Sequence, residues 1–177
     1  MTFELHEAAQ ILARTPMTVD ALLRDLPATW THANEGVDTW SPFDIVGHFI
    51  HGEKTDWIPR ACIILAQGTD KGFAPFDRFA QEQESAGRQL NQLLDEFAHL
   101  RLRNLAALEA LDISPEQMAW TGEHPEFGNV TLAELLSTWV VHDLGHLAQI
   151  SRVMARRYTK EAGPWRQYLP ILGPLTE

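Results

Sequence analysis

The sequence predicts an all-α protein, a four-helix bundle with a long crossing connection between its third and fourth helices. Four long segments repeat apolar residues at intervals of three and four, which is the period of an amphipathic helix. Breaks rich in proline and glycine separate these segments, and none of the four alternates apolar and polar residues as a strand does. The chain has 177 residues, so we expect residues 1–177 to form a single domain.

The first two helices are marked by their proline positions. The first predicted helix covers residues 3–26 and restarts at Thr15 and Pro16, with the threonine as cap and the proline in the first turn. The second, residues 41–67, opens with Ser-Pro-Phe-Asp, a capping serine followed by a proline and an acid in the first turn. We expect Pro59 to kink this second helix.

The third and fourth helices flank the crossing connection. The third covers residues 77–111, and the fourth covers residues 131–158 and opens with Thr-Leu-Ala-Glu, a capping box. Residues 112–130 contain two prolines and two glycines, which indicates a long connection rather than a tight turn. The tail, residues 163–177, is predicted to lie across the bundle as an irregular strap. One apolar stripe of the third helix is formed by Leu90, Leu93, Leu94, Phe97, Leu100, Leu105 and Leu108.

The charge and the amino-acid composition of the chain limit the kinds of molecule that it is expected to bind. The chain carries 24 acidic and 14 basic residues, a net charge of −10, which argues against nucleic acid or an anionic membrane. Its single cysteine excludes an intrachain disulfide bond. The N-terminus lacks the pattern of a signal peptide, and no apolar stretch is long enough to span a bilayer. We therefore expect a cytoplasmic protein that acts on a small molecule.

Two histidines interrupt the inward stripe of the fourth helix. His142 and His146 are four residues apart, so both imidazoles lie on one face, about one turn apart. This spacing suits chelation of a metal ion, although hydrogen bonds across the core are the alternative. For two histidines at this spacing we favour the metal. The full stripe is Leu132, Leu135, Leu136, Trp139, His142, His146, Ile150 and Val153.

The second predicted helix offers two histidines as a possible third ligand. His48 lies beside the core-facing sector of that helix, whereas His51 points further toward solvent, so we choose His48 and keep His51 in reserve. Glu53 falls within the apolar sector and either orients a ligand imidazole or ties two helices together. Asp143, next to His142, is a candidate for the same orienting role or a general base, and an ordinary surface acid is an equal alternative.

Two segments resemble a known family. Residues 40–53, WSPFDIVGHFIHGE, and residues 142–150, HDLGHLAQI, resemble the DinB/YfiT-like superfamily of metal-binding four-helix bundles in both order and position. In that family one histidine of the second helix and two of the fourth bind a divalent metal, commonly zinc, nickel or manganese. The resemblance therefore implies a metal site at His48, His142 and His146.

Three functions follow from that resemblance. A site of three histidines leaves an open position, and relatives include transferases of low-molecular-weight thiols. We therefore expect a metal-dependent enzyme that activates a small thiol and transfers it to an electrophile. The alternatives are a non-catalytic, stress-related metal-binding protein and a metal-dependent hydrolase. Relatives often form dimers, so a homodimer is expected, and no catalytic side chain is assigned.

Overall fold

The structure is a computed structural model and describes residues 3–173. Its α-helices are α1 (Leu5–Leu12), α2 (Thr15–Leu23), α3 (Ala28–Thr31), α4 (Pro42–Thr55), α5 (Trp57–Gln67), α6 (Ala80–Glu84), α7 (Leu90–Ala110) and α8 (Leu132–Arg156). Two antiparallel strands, β1 (Thr121–His124) and β2 (Gly128–Thr131), form one hairpin. Short 3₁₀ helices cover Gln117–Ala119, Gly163–Tyr168 and Pro170–Leu172.

Four helical members form the bundle and confirm the predicted fold class. The first member is α1 followed by α2, the second is α4 followed by α5, and α7 and α8 are the third and fourth. Helix α4 packs against α7 and α8, α1 packs against α8, and α2 packs against both α7 and α8. Among residues 3–173, no helix is both long and apolar enough to cross a membrane.

The predicted helix starts are confirmed by their capping contacts. The Ser41 hydroxyl accepts the backbone N–H of Asp44, and the Asp44 carboxylate accepts the Ser41 backbone N–H at 2.8 Å. Thr131 and Glu134 make the same reciprocal pair at the start of α8, with a backbone contact of 2.7 Å. The first member restarts at Thr15 as predicted, although Arg14 occupies the cap position.

Pro59 breaks the second member of the bundle about one turn before its own position. The second bundle member breaks at Asp56, whose φ of −107° and ψ of −72° separate α4 from α5. Proline has no N–H to donate to the carbonyl four residues earlier, and its ring clashes with that carbonyl. The carbonyl is that of Thr55, the last residue of α4, so the predicted kink becomes a break at residue 56.

The predicted third helix is wrong in its first part. Residues 77–111 do not form one helix, because α6 ends at Glu84 and α7 begins only at Leu90. Between them Gly87 has a φ of +72°, in the left-handed region that interrupts a helix. From Leu90 onward the predicted stripe faces the core.

The connection between α7 and α8 holds a hairpin that was not predicted. Residues 112–130 cross the bundle as expected, but residues 121–131 pair as two strands of four residues each. Gly128 closes the turn with a φ of +70°. Strands this short do not produce the sustained alternation by which a strand is recognised in sequence.

The tail lies partly on the bundle. The last 3₁₀ helix packs against α8, where Leu172 is buried. Trp165 and Tyr168 of the preceding turn are exposed. Residues 174–177 of the predicted strap lie outside the described residues, and the predicted homodimer stays a prediction.

The apolar core divides into two clusters along the bundle axis. One cluster contains Val19, Leu23, Ile45, Val46, Phe49, Ile50, Leu90, Leu93, Leu94, Phe97 and Ile150. The other contains Leu12, Trp57, Ala61, Ile64, Phe73, Leu108, Leu132, Leu135, Leu136 and Trp139. In each member of the bundle, a buried polar residue lies in sequence between the two groups. These residues, which we call the polar layer, are Thr15, Glu53, Arg101 and Asp143.

Arg101 is the centre of the polar layer. It is 1% exposed, and its guanidinium donates to Glu53 Oε1 at 2.7 Å and to Asp143 Oδ2 at 2.6 Å. A further N–H reaches the Leu12 carbonyl at 2.7 Å, so Arg101 contacts all three other members of the bundle. Burying charges is costly unless they are paired and hydrogen-bonded, and this arrangement meets both conditions.

The pKa values of the Glu53 and Asp143 carboxyl groups shift in opposite directions. Burial raises the pKa of Glu53, although Arg101 and an amide hydrogen bond from Asn104 at 2.9 Å oppose this effect. Burial also raises the pKa of Asp143, but His142 and Arg101 more than offset it, so that pKa lies below its usual value. Trp139 Nε1 donates to Glu53 Oε1 at 3.2 Å and completes the network.

Removing the arginine should destabilise the bundle strongly. Arg101→Leu leaves two buried carboxyl groups without their counter-charge, so we expect the free energy of unfolding to fall by about 3–5 kcal/mol. Urea unfolding followed by circular dichroism measures this change. The matched control is Arg103→Leu on the exposed side of α7, which should change it by less than about 0.5 kcal/mol. Equal effects of the two substitutions would contradict the role given to Arg101.

Candidate metal centre

Three histidines from two helices meet beside the polar layer. His48 projects from α4, and His142 and His146 project from successive turns of α8. One ring nitrogen of each lies within 4.8 Å of one ring nitrogen of each of the others. The structure therefore brings together the three residues that the sequence predicted as ligands. Among the described residues, no other His, Cys, Asp or Glu side chain joins this group.

The three imidazole rings lie close to one another. His48 Nε2 and His142 Nε2 are 3.0 Å apart, and the ring centroids of His142 and His146 are 4.4 Å apart. Burial, followed by the neighbouring imidazoles of His142 and His146, lowers the pKa of His48 to about 2. Burial, followed by His142, lowers the pKa of His146 to about 4. Both rings are thus neutral at pH 7, which is the form that binds a metal ion.

The far nitrogens of the rings have different partners. His146 Nδ1 pairs with Gln149 Oε1 at 2.8 Å, so the ring donates there and leaves Nε2 as an acceptor. His142 Nδ1 lies 3.5 Å from Asp143 Oδ1, which is long for a hydrogen bond but close enough for attraction. The His48 Nδ1 atom is buried and has no hydrogen-bond partner in the described part of the chain.

Aromatic side chains hold the rings in place. Trp40 lies over His48 with a centroid distance of 4.6 Å, and Trp57 meets His142 edge-on at 5.1 Å. Phe49, in the core beneath, touches both histidines of α8 edge-on. Such packing restricts ring rotation, and a site whose rings are already oriented loses less entropy when it binds a ligand.

The other predicted site residues lie elsewhere. His51 is buried rather than solvent-facing, because its Nδ1 pairs with Glu84 Oε1 of α6 at 3.1 Å. Glu53 contacts Arg101, Asn104 and Trp139, which supports the alternative that it ties helices together.

Asp143 is fully buried rather than a surface acid. Both of its oxygens accept hydrogen bonds from Arg101, and one also lies near His142. It is thus placed to position His142 and is shielded from any substrate that would need a base. Arg101 and Gln149 were both missed by the sequence analysis. Two signals in the sequence were available. Arg101 places a charge within the apolar stripe of α7, and Gln149 places an amide three residues after His146.

One face of the histidine cluster opens into a cleft of about 540 Å³. Its aromatic lining consists of Trp40, Trp57, Phe73, Phe76 and Phe127. Its charged and polar lining includes Asp56, Arg60, Arg78 and His124. The volume is typical of small-molecule sites, and the wall combines these aromatic side chains with ionisable ones.

These residues fit a divalent metal. Three neutral imidazoles from a rigid pair of helices form a donor set that zinc, nickel and other borderline ions accept. Structural zinc sites usually have four protein ligands, whereas catalytic sites keep a position free. The three donors line the cleft, so a metal held by them would have a coordination position free on the cleft side.

Comparisons with known proteins identify the family and the fold of this chain. The model of the DinB superfamily matches residues 11–150. The chain belongs to the DinB superfamily. A solved structure titled "YfiT from Bacillus subtilis is a probable metal-dependent hydrolase with an unusual four-helix bundle topology" matches with a TM-score of 0.75 and 20% identity. The match covers 86% of this chain and 87% of YfiT. No curated protein sequence matches. The family resemblance and the bundle are thereby confirmed.

Each histidine of the cluster should be needed for metal binding. His48→Ala, His142→Ala and His146→Ala should each lose most bound zinc after dialysis, because two imidazoles alone form a weak chelate. Elemental analysis of the dialysed proteins measures the retained metal. His51→Ala is the control on the same helix and should keep its metal. Full zinc content in His142→Ala would exclude the cluster as the binding site.

Gln149 should tune the affinity through His146. Gln149→Leu removes the acceptor that orients the ring, so we expect zinc affinity to fall roughly 10–100-fold. Competition with a chromogenic chelator measures this affinity. Gln149→Glu keeps an acceptor at the same position and should retain most of the binding. If the two variants weaken binding equally, the orienting hydrogen bond is not the cause.

Proposed function

We propose that the protein is a metal-dependent enzyme that transfers a small thiol to an electrophile. The observation that carries this proposal is the three-histidine cluster, open on one side to a cleft of substrate size. His48, His142 and His146 would hold the metal, with zinc, nickel or manganese as the candidate ions. A bound divalent ion supplies Lewis acidity, which lowers the pKa of a coordinated thiol.

The reaction balances without a redox partner. The thiol loses its proton to solvent, its sulfur forms a bond to an electrophilic carbon, and the bond from that carbon to its leaving group breaks. The leaving group departs with the bonding electron pair, so neither substrate is oxidised or reduced overall. A thiolate is a good ligand for borderline-soft zinc, which favours a thiol as the nucleophile if zinc is the bound ion.

The side chains of the cleft supply binding and orientation. Trp40 and Phe76, which both touch His48, form an apolar wall beside the cluster and would cover the apolar parts of a substrate. Excluding water there strengthens electrostatic interactions within the site. The rings of His142 and His146, fixed by packing, would keep the reacting groups in one geometry.

Hydrolysis is the second candidate, and the description of YfiT favours it. That protein shares the bundle and is described as a probable metal-dependent hydrolase. In this alternative water replaces the thiol as nucleophile, and the same three histidines would hold the metal. The two candidates differ in whether turnover requires an added thiol.

A paired assay separates these functions. Zinc- or nickel-loaded protein should accelerate the reaction of a small thiol with 1-chloro-2,4-dinitrobenzene, and a chelator should abolish the acceleration. His142→Ala should lose the activity, while His99→Ala, an exposed histidine on α7, should retain it. Hydrolysis of p-nitrophenyl esters without thiol would instead support the hydrolase. Inactivity in both assays, across a panel of thiols and esters, would favour a non-catalytic metal-binding protein.

A further inference from the structure

The hairpin carries a histidine into the wall of the cleft. His124 ends β1, is half-buried and lines the cleft that also holds the three-histidine cluster. Its ring stacks on Phe127 with a centroid distance of 4.4 Å and an interplanar angle of 12°. It also meets Phe73 edge-on at 6.2 Å. The ring is thus held by two aromatic neighbours.

Hydrogen bonds within the turn fix the tautomer of His124. The backbone N–H groups of Glu126 and Phe127 both donate to His124 Nδ1, at 3.1 and 3.3 Å. A nitrogen that accepts hydrogen bonds carries no proton, so the proton of the neutral ring lies on Nε2. Burial and the positive charge of Arg60 lower the pKa of His124, which keeps the ring neutral at pH 7. Nε2–H is therefore a fixed donor with no protein acceptor in the described residues.

Arg60 lines the same cleft and contacts the same ring, that of Phe73, as His124 does. Its Nε meets Asp56 Oδ1 at 2.5 Å, and one terminal nitrogen donates to the Ala74 carbonyl at 3.2 Å. The guanidinium also lies over Phe73, 5.1 Å from the ring centroid. These contacts engage Nε and Nη2 of the guanidinium. They leave Nη1 without a hydrogen-bond acceptor in residues 3–173. A guanidinium has five N–H donors, so some remain for a ligand.

The carboxylates of the cleft do not occupy the remaining N–H donors of Arg60 and His124. Asp56 occupies the Nε edge of Arg60, and its Oδ1 atom is buried. Glu134 is engaged in capping α8, where its carboxylate accepts from Thr131. Glu126 lies on the exposed turn, and Arg78 adds a further positive charge to the lining. The cleft thus carries three carboxylates, of Asp56, Glu126 and Glu134, and two guanidiniums, of Arg60 and Arg78. An anion would therefore be recognised by the unengaged N–H donors of Arg60 and His124, and not by a net positive charge of the wall.

We propose that His124 and Arg60 form an anion subsite that binds a carboxylate of the substrate. A planar carboxylate accepts from two donors at once, one from the guanidinium and one from the imidazole N–H. The substrate class is then a small carboxylate-bearing molecule whose reacting end faces the three-histidine cluster. This inference names the substrate class of the proposed function and rests on the same cleft.

Matched pairs of probes test the subsite by calorimetric titration of the zinc-loaded protein. One pair is 3-mercaptopropionate and 2-mercaptoethanol, and the other is phenylacetate and phenylacetamide, which contain no thiol. The anionic member of each pair should bind about 10-fold more tightly or better, since a hydrogen bond to a charged group is worth about 1.5–3 kcal/mol.

Three variants assign that preference to residues. His124→Asn keeps an oxygen that can accept from the turn but places no donor at Nε2, so the preference should fall to within about 3-fold. Arg60→Gln is the second variant, in case the first perturbs the hairpin, and should have the same effect. His99→Asn, exposed on α7, should keep the wild-type preference.

The outcomes separate the subsite from the thiol reaction. If the mercaptans do not bind but phenylacetate still binds better than its amide, and only the cleft variants lose this, the subsite stands and thiol transfer fails. Equal affinities within both pairs would overturn the subsite, as would a preference that survives both cleft variants. Failure of all four probes to bind would also overturn it.

Discussion

The buried charge of Arg101 is the constraint on which the rest of the structure depends. A guanidinium at the centre of the bundle requires two carboxylates and a carbonyl, and these come from three other helices. Glu53 lies on the same helix as His48, and Asp143 directly follows His142. The ion pairs therefore fix the rotation of α4 and α8 relative to each other, which turns their histidines toward one another. The polar layer thus positions the candidate metal centre without contacting a substrate.

The histidine cluster lies at the edge of a core that is already complete. Two apolar clusters, one on each side of the polar layer, bury side chains from all four members of the bundle. Each fully buried Leu or Phe contributes roughly 1.5–3 kcal/mol before conformational entropy is counted. A bundle of this kind should fold without metal, unlike a zinc finger. The metal would then serve the reaction and would not be required for folding. The low pKa values of His48 and His146 fit this view, since both rings are neutral before any ion binds.

Local patterns in the sequence predicted much of the fold and the histidine cluster. The i, i+4 pair of His142 and His146 within an apolar stripe, and the capping serine and threonine, depend only on neighbours along the helix. The break before Leu90 and the hairpin were missed because both depend on short segments with weak periodicity. Arg101 was missed because its partners lie far away in sequence. His51 was placed wrongly because residues 80–84 were predicted as the start of the third helix, whereas they form the separate helix α6 that packs on α4 and pairs with His51.

The central claim is that the bundle holds a preformed site for one divalent metal ion. Titration of chelator-treated protein with zinc at 25 °C, followed together by calorimetry and far-ultraviolet circular dichroism, tests it most directly. We predict that one equivalent of zinc binds per chain while the helical signal stays unchanged, and that the melting temperature rises with free zinc. Absence of stoichiometric binding, or a helical signal that develops only as zinc is added, would contradict the account.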